Sequence, residues 1–74
     1  MSHHLLPLER RIAQVVDSDH PNACCDGCLA LDVGASLEDA RHAAAAVVLR
    51  SSDLHRKVRP CDRCGRTLEI TCKL

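Results

Sequence analysis

Apolar residues recur at helical spacing in two stretches of the chain. In the first, they follow one another every three or four positions with charged residues between them, which predicts an amphipathic helix over residues 5–17. A second periodic stretch follows Ser36, whose Ser-x-x-Asp arrangement resembles a capping box, and predicts a helix over 36–51. Between them, residues 26–33 can form two helical turns that stop at Gly34.

Alternation of apolar and polar residues replaces the helical pattern near the C-terminus. Leu68, Ile70 and Cys72 fall on one side of a predicted half-buried strand, with polar residues on the other side. Residues 54–73 are therefore predicted to form a hairpin. Gly65 suits its turn, because glycine adopts backbone conformations that other residues avoid.

Composition indicates a small domain with a weak core. The 74 residues are predicted to form one domain, residues 1–74, in which residues 1–4 are a loose terminus. The chain contains no Phe, Tyr or Trp. Apolar residues make up 46% of it, and most of them are Ala, Leu, Val and Cys. A chain of this size rarely obtains more than about 3 to 5 kcal/mol from its core. A further source of stability is therefore expected.

Four of the six cysteines form two matched C-x2-C pairs, Cys25 with Cys28 and Cys61 with Cys64. Each pair aims two thiolates at one point, and two pairs supply the four soft ligands of a closed tetrahedral zinc shell. The 32 residues between the pairs leave room for a folded element. We therefore predict one structural Zn²⁺ bound by the four cysteines, which ties distant parts of the fold together.

Other uses of the cysteines remain open. Three disulfides would suit a secreted protein, but the N-terminal residues show no apolar export signal, so a cytoplasmic location with reduced thiols is expected. A redox motif needs a larger scaffold behind one C-x2-C. Cys24, Cys72, His20 and His55 are alternative ligands, or extra ligands of a metal sensor. No stretch is long enough to cross a membrane.

The order of the predicted elements resembles that of a winged helix-turn-helix domain of the small, bacterial type. The resemblance covers residues 5–74, and the segment from Leu29 to Ala40 corresponds to the helix-turn-helix. It implies an α+β fold of three helices with a C-terminal hairpin. It also implies a short strand over residues 22–24 that pairs antiparallel with the last strand and brings the two cysteine pairs together. A zinc ribbon with an inserted helix is the alternative.

Charge is divided between the two halves of the chain. Residues 1–40 contain two arginines and seven acids, whereas residues 41–74 contain eight Lys or Arg and three acids. In winged helices the third helix enters the major groove of DNA and the hairpin contacts the backbone. The resemblance therefore implies a DNA-binding transcriptional regulator. Its candidate groove contacts are Arg41, His42 and Ala45, and its candidate phosphate contacts are Arg63 and Arg66.

Two features favour a different function. Acidic residues begin the predicted third helix, and zinc ties the hairpin turn toward the second helix, which shortens the reach of the wing. The alternative function is an accessory module that binds a protein partner or a second copy through the alanine-rich face of its third helix or through the acidic first half of the chain. The sequence indicates neither an enzyme nor a small-molecule substrate, because four thiolates leave zinc no open position for water.

Overall fold

The computed structural model describes residues 7–74, which form an α+β fold of three helices and one three-stranded antiparallel sheet. The helices are α1 (Pro7–Asp19), α2 (Asp26–Val33) and α3 (Leu37–Arg50). The strands are β1 (Cys24–Cys25), β2 (Leu54–Pro60) and β3 (Thr67–Lys73). The α+β class predicted from the sequence is confirmed.

The observed boundaries differ from the predicted ones by a few residues. The predicted loose terminus and the first two residues of the helix predicted over 5–17 lie outside the described residues. At its other end α1 continues to Asp19, two residues before Pro21. The short strand predicted over 22–24 is shifted and comprises Cys24 and Cys25. This shift places Cys25 inside the sheet.

Two local signals define the turn between α2 and α3. Gly34 adopts a left-handed conformation with φ of 69°, and the N–H of Ala35 donates to the carbonyl of Ala30 at 3.0 Å. Two residues later the Ser36 hydroxyl accepts a hydrogen bond from the backbone N–H of Asp39 at 3.1 Å. The cap predicted at Ser36 is therefore present, and it fixes where α3 begins.

The sheet has the order β1-β3-β2, so β3 is its central strand. Cys25 pairs with Ile70 and Cys24 pairs with Thr71, which places adjacent residues of β1 on opposite faces of the sheet. Ile70 and Thr71 are both fully buried. The prediction of a half-buried strand is therefore wrong for the centre of β3, because the helices cover one face while Ala23 and Cys61 pack on the other.

Two separate clusters of buried side chains stabilise this arrangement. The larger one lies among the three helices and is built from aliphatic residues and alanine. The smaller one lies on the other face of the sheet and consists of Ala23, Cys25, Cys61, Ile70 and Cys72. Ile70 is the one large aliphatic residue in this smaller cluster, so hydrophobic burial alone stabilises this end of the fold weakly.

None of the helices within residues 7–74 is long and apolar enough to span a bilayer.

Candidate metal centre

Four sulfur atoms from distant parts of the chain converge on one point. The Sγ atoms of Cys25, Cys28, Cys61 and Cys64 all lie within 4.8 Å of one another. Cys25 and Cys64 are separated by 3.7 Å, and Cys28 and Cys61 by 3.8 Å. A tetrahedral site with metal–sulfur bonds of about 2.3 Å places its sulfurs roughly 3.8 Å apart, whereas a disulfide needs about 2.05 Å. The four predicted ligands can therefore hold one metal ion.

The junction of β1 and α2 positions the first pair. Cys25 ends β1 and is the N-cap of α2, with extended backbone angles of φ −80° and ψ 166°. Cys28 follows in the first turn of the helix. Both sulfurs lie at the positive end of the helix dipole, which favours the thiolate forms that bind metals.

The second pair lies in the turn between β2 and β3, which we call the cysteine knuckle (residues 61–66). The backbone N–H groups of Arg63 and Cys25 each donate to Cys61 Sγ at 3.4 Å. The N–H of Gly65 donates to the Cys61 carbonyl at 2.9 Å, and Gly65 has φ of 79°. This positive φ is the conformation for which glycine was predicted here, and it closes the turn around the sulfur.

Electrostatics favour a cation among the four sulfurs. Hydrogen bonds from the backbone and guanidinium of Arg66 lower the pKa of Cys64 to about 6. Burial raises the pKa of Cys61, but backbone N–H groups outweigh it and the net direction is downward. Burial, reinforced by the neighbouring Cys25 and Cys61, raises the pKa of Cys28. The thiolates therefore repel further ionisation of the cluster, and a bound metal ion relieves that repulsion.

A pair of reciprocal hydrogen bonds ties the cysteine knuckle to the segment before β1. The N–H of Ala23 donates to Asp62 Oδ2 at 2.6 Å, and the N–H of Asp62 donates to the Ala23 carbonyl at 3.0 Å. Residues 39 positions apart in the chain are thus held beside the first cysteine pair. The protein positions the four sulfurs through the backbone as well as through any metal.

Arg63 connects the cysteine knuckle to the ends of two helices. Its Nε donates to Asp19 Oδ2 at the end of α1 at 3.0 Å, and its guanidinium also forms an ion pair with Asp32 of α2. The pKa of Arg63 is raised, first by its hydrogen bond to Asp19. We infer that Arg63 holds the cysteine knuckle against the helices.

We expect Arg63→Ala to lower the free energy of unfolding by about 1 to 2 kcal/mol, because a partly buried charged hydrogen bond and a second ion pair are lost. Arg59→Ala is the matched control, since Arg59 is exposed and has no carboxylate partner within residues 7–74. Its effect should stay within about 0.5 kcal/mol. Urea unfolding of the metal-loaded variants measures both values, and equal effects would contradict this role of Arg63.

A buried ion pair next to the first cysteine pair was not predicted from the sequence. Arg56 of β2 donates to both carboxylate oxygens of Asp26 at 2.9 and 3.1 Å, and their side chains are 10% and 9% exposed. Arg56 also donates to Thr71 at 2.8 Å and to Glu69 at 3.0 Å. The sequence contained a signal for the burial of Arg56, because the alternation along β2 places Arg56 on the same side of the strand as the buried Leu54.

The alternative ligands lie outside the cluster. Burial and a hydrogen bond to Asp19 raise the pKa of Cys24 to about 12, so this thiol remains protonated and donates to the carboxylate at 3.1 Å. Cys72 Sγ lies 3.1 Å from His55 Nε2 on the neighbouring strand. His20 is exposed and is not part of the four-sulfur group.

The five candidate DNA contacts are distributed over two grooves and the exposed side of α3. Arg41 and Arg66 line one cleft, between the beginnings of α2 and α3 and the strand β3. Arg63 lines a separate groove between α1 and α2. His42 and Ala45 are exposed along α3.

Most of the basic half of the chain is neutralised within the fold. Five of its eight cations form ion pairs with carboxylates of residues 1–40: Arg41 and Arg56 with Asp26, Arg50 with Glu9, Arg63 with Asp19 and Asp32, and Lys73 with Asp17. Within residues 7–74, Lys57, Arg59 and Arg66 have no carboxylate partner. The division of charge along the sequence thus corresponds to an attraction between the two halves of the folded chain.

Comparison of the chain with protein-family models, with curated proteins and with solved structures finds no match.

Proposed function

We propose that Cys25, Cys28, Cys61 and Cys64 hold one zinc ion whose role is structural. The observation that carries this proposal is the convergence of four cysteine sulfurs within 4.8 Å of one another, with Cys25 and Cys64 separated by 3.7 Å and Cys28 and Cys61 by 3.8 Å. Four thiolates favour zinc or iron and leave no position for a reacting water. The ion replaces the apolar contacts that the small cluster around Ile70 lacks, and the protein is not an enzyme at this site.

We further propose that the zinc-bound fold is a winged helix. The order of α1, β1, α2, α3, β2 and β3 and the antiparallel pairing of β1 with β3 support this assignment. In this proposal α3 is the third helix of the helix-turn-helix and the hairpin is the wing. The cysteine knuckle at the tip of the wing is tied back toward α2, so the wing does not extend away from the domain.

We propose that the domain binds a protein partner through the exposed side of α3. Leu49 is 88% exposed, and Ala45 and His42 are exposed on the same face of the helix, which we call the outer stripe of α3 (His42, Ala45 and Leu49). This surface carries small and apolar side chains rather than arginines or lysines. Protein interfaces tolerate such a composition, whereas contacts with the DNA backbone need unpaired cations.

DNA binding remains the second candidate function. It is favoured by Lys57, Arg59 and Arg66, the cations of the basic half that have no carboxylate partner within residues 7–74. If these residues contact phosphates, the affinity for duplex DNA falls steeply as salt is added. A regulator of this kind would use the hairpin more than α3.

One capture experiment distinguishes the two functions. The zinc-loaded, tagged chain is incubated with nuclease-treated cell extract, and bound protein is compared for Leu49→Asp and the control Val58→Asp, which changes another exposed apolar residue. We expect Leu49→Asp to capture at least about tenfold less of a specific protein partner than the unaltered chain, because the substitution places a charge in an apolar contact. Salt-sensitive binding of random duplex DNA that is lost in Lys57→Glu/Arg59→Glu, with no effect of Leu49→Asp on protein capture, would favour DNA instead.

A further inference from the structure

A cleft separates the beginnings of α2 and α3 from the strand β3, and it is distinct from the outer stripe of α3. Its volume is about 480 Å³, within the range typical of sites for small ligands and short peptide segments. Leu37 and Leu68 supply apolar walls and are 49% and 38% exposed. Two guanidinium groups, those of Arg41 and Arg66, also line the cleft.

Both carboxylates of the cleft already accept hydrogen bonds from one largely buried arginine. Asp26 accepts two hydrogen bonds from Arg56, at 2.9 and 3.1 Å, and Glu69 accepts one from Arg56 at 3.0 Å. Arg56 is 10% exposed, so it holds both carboxylates from behind the cleft wall and offsets part of their charge. An acidic ligand therefore meets two guanidinium groups without a matching set of unpaired carboxylates.

Both arginines of the cleft keep hydrogen-bonding capacity. Arg41 Nε lies 3.5 Å from Asp26 Oδ2, and the Arg41 side chain is 56% exposed. Arg66 is exposed and has no carboxylate partner within residues 7–74. The remaining N–H groups suit a carboxylate, which guanidinium binds with two parallel hydrogen bonds.

The combination of cations and apolar walls selects among anionic ligands. A DNA phosphate offers no apolar group for Leu37 and Leu68, which form the apolar walls of the cleft. A peptide acid with a neighbouring apolar side chain satisfies both parts of the cleft. Charge and shape thus point to one class of partner.

We propose that this cleft binds a segment of a protein partner in which a carboxylate stands next to a leucine-sized side chain. The carboxylate contacts Arg41 and Arg66, and the apolar side chain packs between Leu37 and Leu68. This inference rests on the proposed role in protein binding and adds a second contact to the outer stripe of α3. Because the Arg66 carbonyl accepts a hydrogen bond from the N–H of Cys61 at 2.9 Å, the metal site holds one wall of the cleft in place.

The test is a nuclear magnetic resonance titration of the zinc-loaded chain with the blocked dipeptide acetyl-Glu-Leu-amide. We expect shifts at the methyl groups of Leu37 and Leu68 and at the Nε–H of Arg41. Acetyl-Gln-Leu-amide and acetyl-Glu-Ala-amide lack the charge and the apolar side chain respectively, and each should bind at least about fivefold more weakly.

Matched variants locate the site on the protein. Leu68→Asn and Arg41→Gln should each lower the affinity for acetyl-Glu-Leu-amide by about fivefold or more. Val58 is exposed and lies outside the cleft, so Val58→Asn should leave this affinity unchanged. Zinc content and thermal melting establish that each variant is folded.

Several results would overturn the proposal. These are equal binding of the three dipeptides, shifts confined to Leu31 or Leu49, no binding, or shifts at the cleft with a duplex oligonucleotide but not with the dipeptide. If the dipeptide does not bind while Leu49→Asp still abolishes capture of a protein partner, the cleft is not the site and the proposed role in protein binding stands.

Discussion

Replacement of Cys61 by serine is expected to unfold the protein at neutral pH. Cys61 is buried, its sulfur accepts two backbone hydrogen bonds, and it lies 3.8 Å from Cys28 Sγ in the four-sulfur group. Structural zinc sites have apparent binding free energies of roughly 10 to 16 kcal/mol, and domains are stable by only about 5 to 15 kcal/mol. We therefore expect far-ultraviolet circular dichroism of Cys61→Ser to lose its helical signal, and the zinc content to fall well below that of the natural chain.

Cys24→Ser is the matched control for Cys61→Ser. Cys24 is also fully buried, but its thiol donates to Asp19 and it is not part of the four-sulfur group. Serine keeps the donor, so Cys24→Ser should remain folded with its full zinc content. Equal melting temperatures and zinc contents for Cys61→Ser and the natural chain would show that the four-sulfur group does not stabilise the fold.

Arg56→Ala is expected to cause the largest loss of stability among the changes outside the metal site. It leaves Asp26 buried with only the 3.5 Å contact to Arg41, and breaking a buried ion pair from one side costs about 3 to 5 kcal/mol. For a domain of this size, the melting temperature should fall by roughly 4 to 8 °C for each kcal/mol lost. Calorimetry of the zinc-loaded variant measures this change.

Two comparisons separate a lost ion pair from a lost side chain. Lys57→Ala removes the neighbouring exposed cation of the same strand and should change stability by no more than about 0.5 kcal/mol. The double variant Asp26→Leu/Arg56→Met replaces both charges by apolar groups and should be more stable than Arg56→Ala, because no unpaired charge is left buried. A double variant less stable than Arg56→Ala would contradict this explanation.

The sequence was sufficient for the local features of the fold. The cap at Ser36, the left-handed Gly34 and the positive φ of Gly65 each depend on a few adjacent residues, and all three are present. The convergence of the two cysteine pairs was also predictable, because C-x2-C spacing fixes the chemistry and the pairing of β1 with β3 supplies the proximity.

The charged contacts could not be predicted, because they join residues far apart in the chain. Arg63 was interpreted as a candidate phosphate contact, yet it binds Asp19 and Asp32, 44 and 31 positions away. Arg56 binds Asp26 across 30 positions. Periodicity shows which side of a strand a residue occupies, but the identity of its partner depends on how the helices pack on the sheet.

The two halves of the chain have different functions in this account. The acidic residues 1–40 supply α1, α2 and the beginning of α3, and the basic residues 41–74 bind them through ion pairs while they supply two of the four sulfurs. Arg50, Arg56, Arg63 and Lys73 are held in these short ion pairs and are not free to bind phosphates. We therefore propose that the outer stripe of α3 and the cleft beside it bind the partner, and that the metal stabilises the fold.

Native mass spectrometry of the purified chain, paired with thermal melting before and after chelation, tests the central claim most directly. We expect one zinc ion for each chain, loss of the helical signal when the chelator removes it, and recovery of the signal when zinc is restored. A chain that carries no metal, or one that melts at the same temperature with and without its zinc, would contradict the claim that the four thiolates hold this fold together.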